Sequence, residues 1–223
     1  PSAADGTRDP QDLLRRLPAA AFYGALGIDL RSMGGLAHLR AFLATVPGND
    51  RLQMPAWLDG VQDKVEQVQV AAFPSKLGIA VGGILNDASF VVVTADPAGV
   101  KAGLKSWVLA QGGERDGIRS EPSWEDERTL KDGSKVAAFA VKETATGPGV
   151  DLTQRLVKQF IVSNRGLHGF AREVPGALVV TYSQRTDVLD RATAAAAGTA
   201  ARTLAADGTI RAMAPWLMPD ADV

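Results

Sequence analysis

Apolar positions along the chain follow two different periods. Val65, Val68 and Val70 alternate with polar neighbours, and residues 77–94 hold two aliphatic runs, LGIAVGGIL and ASFVVVT, separated by Asn86-Asp87. Alternation and short aliphatic runs predict strands. At Asp96 the period lengthens to that of a helix. Val100, Leu104, Trp107 and Val108 fall on one face, Asp96 suits the N-cap, and Pro97 suits the first helical position because its missing N–H costs nothing there. A hairpin reversing at Asn86-Asp87 and feeding this helix is the predicted core unit.

The same patterning extends in both directions. Residues 21–30 predict a strand interrupted by Gly24 and Gly27. Ser32 opens a predicted helix through Leu36, Leu39, Leu43 and Val46, stopped by Pro47-Gly48, and a short helix begins at Met54. Asp132-Gly133 predicts a type I′ hairpin into a strand over 134–141. Asp151 opens a helix with Leu152, Leu156 and Phe160 on one side. After Val174-Pro175-Gly176 come a strand over 177–182 and a long helix from Ser183 or Thr186 to Leu204, ended by Asp207-Gly208. Residues 112–128 are so polar that they predict a solvated loop, and 166–170 a second loop carrying His168.

The predicted class is α+β: a largely antiparallel sheet from segments near 21, 65, 77, 89, 128, 135 and 177, with helices packed on one face. Residues 1–11 read as a flexible leader and 12–223 as one domain, with candidate sub-lobes 12–145 and 146–223. A partial internal duplication is suggested by two echoes. Leu17-Pro18 matches Val174-Pro175, and Met54-Pro55-Ala56-Trp57-Leu58 matches Met213-Ala214-Pro215-Trp216-Leu217, each at nearly the same offset.

Composition narrows the function classes. With 223 residues and 46% hydrophobic content, the chain can bury a core without a metal or disulfide. Lys+Arg 24 against Asp+Glu 25, interspersed, lacks the basic stripe of a nucleic-acid binder. Cysteine is absent, which removes thiolate metal sites and cysteine nucleophiles. No run reaches the roughly 20 apolar residues of a transmembrane helix.

Motifs for chemistry are thin. Residues 99–106 (GVKAGLKS) depart from a phosphate-binding loop, with three residues between the glycines and Leu104 in the lysine position, and they lie inside a predicted helix. His38 and His168 show no metal-binding spacing, and the G-x-S-x-G elbow is missing. The predicted catalytic, metal and cofactor sets are therefore empty. Asp29 ends an apolar strand, where groups of α/β sites often project, although capping the next helix is its ordinary role. Trp124 stands in the polar stretch, expected to fold back on the core or to meet a partner. Asp29, Trp57, Trp124 and Trp216 are the candidate ligand- or partner-binding residues.

The run LPAAAFYGALGIDL, followed by a helix and then GGILNDASFVVVTADP, resembles exported or lipid-anchored bacterial domains of uncharacterised function, over about residues 17–110. The resemblance implies the cell envelope or periplasm, with a membrane tether upstream of Pro1; a cytoplasmic protein is the alternative. The expected function is a non-enzymatic binding or scaffold module, its partner an unknown protein or a small apolar ligand. Two alternatives stand beside it: a hydrolase using carboxylates with a solvent-derived metal, and a carrier of an apolar small molecule.

Overall fold

The β-strands found here join into one sheet in which all neighbours run antiparallel. The computed structural model describes residues 10–31, 61, 63–75, 78, 83, 86–115, 117–146, 166–183 and 185–217, with the side chains of 10, 11, 115 and 213–217 outside that set. Among them the strands are β1 (Gly24–Asp29), β2 (Val65–Ala72), β3 (Ala88–Thr94), β4 (Gly113–Arg115), β5 (Ile118–Thr129), β6 (Lys135–Ala145), β7 (Leu167–Val174) and β8 (Ala177–Tyr182). Their order is β1-β2-β3-β8-β7-β6-β5-β4. The α+β expectation holds. β7 and β8, late in sequence, are inserted between β3 and β6.

Among the described residues three α-helices accompany the sheet: α1 (Pro97–Ala110), α2 (Thr186–Ala196) and α3 (Gly208–Leu217). Val91, Ala138, Phe170 and Val179 share a buried cluster with Val188, Leu189 and Ala192 of α2. Their strand neighbours Val92, Ala137, Ala171 and Leu178 cluster instead with Val100 and Leu104 of α1. Because successive side chains of a strand point to opposite faces, α1 and α2 cover opposite faces of the sheet, where the sequence had suggested one. The physical reason is that β8 reads ALVVTY, apolar at both parities, so each face demands its own cover.

Helix α1 follows its sequence signals. Asp96 accepts a hydrogen bond from the Gly99 N–H at 2.9 Å, Pro97 occupies the first turn, and Val100 and Val108 are buried. Burying each of these valines contributes on the order of 1.5–3 kcal/mol. Lys64 Nζ lies 2.7 Å from Asp96, and Lys105 Nζ 2.7 Å from Asp126, so ion pairs border the helix.

Several expectations are corrected. The presumed loop over 112–128 is mostly the 12-residue strand β5, paired along β6. Only Ile118, Ser120, Pro122 and Trp124 are half-buried, so its outer parity is free to be charged and composition disguised the alternation. The presumed loop at 166–170 begins β7, which turns at Pro175-Gly176 into β8. The Asp132-Gly133 hairpin forms, but Leu130 donates to the Ser134 carbonyl and Gly133 (φ +81) to that of Leu130. This is a three-residue connection and not the two-residue type I′ turn.

The long helix after β8 stops at Ala196, with Gly198 left-handed at φ +74, and Asp207 starts α3 by accepting from the Thr209 N–H. Asp207, expected to end one helix, caps the next. Both sides of β3 are occupied, by β2 and β8, and residues 77, 79–82, 84 and 85 of the strand expected before Asn86-Asp87 lie outside the described residues. The duplication gains no support: β1 follows Pro18 at the sheet edge, whereas β8 follows Pro175 at its centre. The predicted helices at 32–46, 54–58 and 151–161 lie outside the described residues, as do residues 1–9 of the leader.

Candidate functional site

On the face that α2 covers over β3, β8 and β7, no helix among the described residues covers the sheet toward β5. Ser123 and Glu125 of β5 stand opposite Ala140 and Ala138 of β6, which in turn stand opposite His168 and Phe170 of β7. These residues, with Arg128, Gly169 and Ser183, line a hollow of about 400 Å³. Its space arises from the sequence, since Ala138 and Ala140 fill little volume where neighbours carry rings. At Gly169 a Cβ would overlap the Thr181 carbonyl oxygen and come within 2.8 Å of Phe139 Cζ, so only glycine fits.

One wall is a buried polar cluster. Ser183 Oγ donates to Asp87 Oδ1 at 2.5 Å and accepts from the Arg185 N–H at 3.0 Å, while Arg185 Nη1 approaches Asp87 Oδ2 at 3.1 Å. His168, 5% exposed, directs Nδ1 to the Gly166 carbonyl at 3.0 Å. A carbonyl only accepts, so Nδ1 carries the proton. Tyr182 donates its hydroxyl to the same carbonyl at 2.8 Å and stacks on His168 at 5.3 Å between centroids. Burial, and secondarily Glu143, pushes the Tyr182 hydroxyl well above its usual range. The opposite wall is solvated: Arg128 Nε donates to Glu125 Oε2 at 2.7 Å, and Ser123 Oγ to the Ala140 carbonyl at 3.3 Å.

The sequence-derived candidates are scattered. Asp29 ends β1, on the far side of the sheet, where it accepts from the Arg31 N–H at 3.0 Å. Trp124 folds back, stacking on Phe139 at 5.9 Å beneath α1, with Nε1 donating to Asp126 at 2.8 Å. Its ring therefore belongs to the opposite face, and only the strand carrying it edges the hollow. Hydrogen bonds from Lys105 first, and then from Trp124, hold the Asp126 carboxyl below its ordinary range. Trp57 and the side chain of Trp216 lie outside the described residues.

Sequence reasoning missed His168, Ser183, Asp87 and Arg185. Asn86-Asp87 reads as a turn and Ser183 as a cap. Their convergence depends on β3 pairing with β8, 90 residues later, which no local pattern announces. Among the described residues no group of three or more His, Asp or Glu side chains is placed to hold a metal, and no helix is long and apolar enough to cross a membrane. No protein-family model, curated protein or solved structure matches the chain.

Proposed function

We propose that this protein is a binding module that takes a small, partly apolar ligand in the hollow between β5 and the β8–α2 junction. The observation that carries the reading is the hollow itself. At about 400 Å³ it falls in the lower part of the ~300–1,000 Å³ range of small-molecule sites, and it has an apolar floor and polar walls. The charged groups around it favour binding over catalysis, because Asp87 is engaged by Ser183 and Arg185, and Glu125 by Arg128. A ring or branched alkyl group suits Phe170, Ala138 and Ala140, and a polar end suits the solvated Glu125–Arg128 side. The envelope placement is part of this proposal and rests on the resemblance over residues 17–110.

The test is a methyl NMR screen with small aromatic carboxylates and aromatic amines, run on the native chain and on Ala140→Phe, which fills the hollow. Expected are shifts centred on the Ala138 and Ala140 methyls of the native protein and at least a tenfold affinity loss in the variant. Binding that survives Ala140→Phe, or shifts centred elsewhere, overturns the reading. Ester or phosphate-ester hydrolysis that disappears in Asp87→Asn would instead establish the hydrolase.

A further inference from the structure

The two edges of the sheet are unlike. Beyond β4, the edge presented by residues 121–129 carries Pro122, Glu121, Glu125, Asp126 and Glu127, and its register shifts between Glu125 and Arg128. Proline, charge and a bulge are the usual defences against pairing with another strand. At the other edge β1 reads GALGID, with none of these before its last residue. Among the described residues β1 pairs with β2 alone. Its Leu26 is 56% exposed and the adjoining Tyr23 43% exposed, two of the three large apolar side chains exposed among the described residues.

We propose that β1 is a homodimer interface, pairing antiparallel with β1 of a second copy across a twofold axis at Gly27. The register follows from the backbone. Leu30 N–H donates to the Glu66 carbonyl of β2, so along an alternating strand Leu26 and Ile28 also bond inward, and Ala25 and Gly27 turn their N–H and C=O outward. Outward residues meet outward residues when the axis passes through a residue and not between two, and of the two central residues Gly27 is the one that sets both Leu26 and Ile28 against an apolar partner. Leu26 then stands directly opposite Ile28 of the second copy, on the face where Val68 and Val70 are only half-buried. Such directly opposed apolar pairs stabilise a sheet.

Just past the strand the Arg31 guanidinium is paired with Glu66 of the neighbouring β2, so it brings no uncompensated charge to the edge. On the other face, Gly27 leaves room where the Leu13 backbone crosses close above it, and a Cβ there would overlap Leu13. The occupant that meets this edge with matching outward N–H and C=O groups and covers the exposed Leu26 with an apolar side chain is an identical strand.

The experiment is sedimentation of the full chain from 1 to 300 µM, alongside Leu26→Lys and, as a control at the third exposed apolar side chain, Leu109→Lys. The native protein and the control should rise from 23.4 kDa toward twice that mass, and Leu26→Lys should stay at 23.4 kDa with unchanged circular dichroism. Because the chain has no cysteine, spin labels at Gly24→Cys report on one site, with about 20 Å between the paired backbones from six residues at ~3.4 Å each. A native chain that stays monomeric throughout, a dimer that survives Leu26→Lys, or a label separation incompatible with that spacing overturns the proposal.

Discussion

Arg185 places Nη1 3.1 Å from Oδ2 of Asp87, a carboxylate only 2% exposed. The pair joins the turn before β3 to the first turn of α2. Ser183 completes it through the other carboxylate oxygen, and the Asp87 carbonyl accepts from the Phe73 N–H at 2.9 Å. Through its carboxylate and its backbone carbonyl, Asp87 thereby joins the turn before β3 to the β8–α2 junction and to the segment at Phe73.

Removing one partner of this pair should cost more than removing both. Arg185→Met leaves the Asp87 carboxylate buried without its cation and is expected to destabilise by about 3 kcal/mol, the low end for a broken buried pair because Arg185 is partly solvated. Asp87→Asn combined with Arg185→Met should recover at least half of that loss. Urea midpoints of the single and double variants check the prediction, and a double variant weaker than Arg185→Met refutes it.

Gly169 and Gly24 should answer differently to the same added methyl. At Gly169 a Cβ overlaps the Thr181 carbonyl oxygen, which belongs to a central strand and cannot move aside. Gly169→Ala is expected to cost at least about 3 kcal/mol. At Gly24 nothing lies within 4 Å, and Gly24→Ala should be neutral or stabilise by up to about 1 kcal/mol through the unfolded chain. Equal shifts in thermal midpoint for the two would contradict the packing described.

Tyr182 makes stability depend on alkaline pH. Its hydroxyl ionises at higher pH when folded than its ordinary value of 10.0, chiefly because burial disfavours the phenolate. The folded state therefore holds its proton after the unfolded state has lost it. The contribution is fully present below pH 10 and is lost as pH rises above it. Tyr182→Phe should cost about 1 kcal/mol at pH 7, for the lost bond to Gly166, yet show a shallower fall in stability between pH 10 and 11. Parallel pH profiles for the two proteins would refute the assignment.

How much of this was legible depended on how local the cause was. Asp96, Pro97 and the Val100-Leu104-Val108 face specify α1 within fifteen residues, because caps and helical periodicity act over one or two turns. The strands at β2, β3 and β8 were equally visible, being aliphatic runs bounded by turn residues. β5 was not, since an edge strand with one solvated parity can be almost wholly polar, and its alternation of Ile118, Ser120, Pro122 and Trp124 holds only two large apolar side chains.

By itself, then, the amino-acid order determined the α+β class, the antiparallel sheet and the start of α1. Those outcomes rest on hydrophobic periodicity and capping. Only the tertiary structure decided which strands are neighbours, that α1 and α2 take opposite faces, and that His168 and the Asp87-bonded Ser183 line one hollow. Pairing between strands 90 residues apart is set by burial summed over the whole sheet, a quantity that no window of sequence contains.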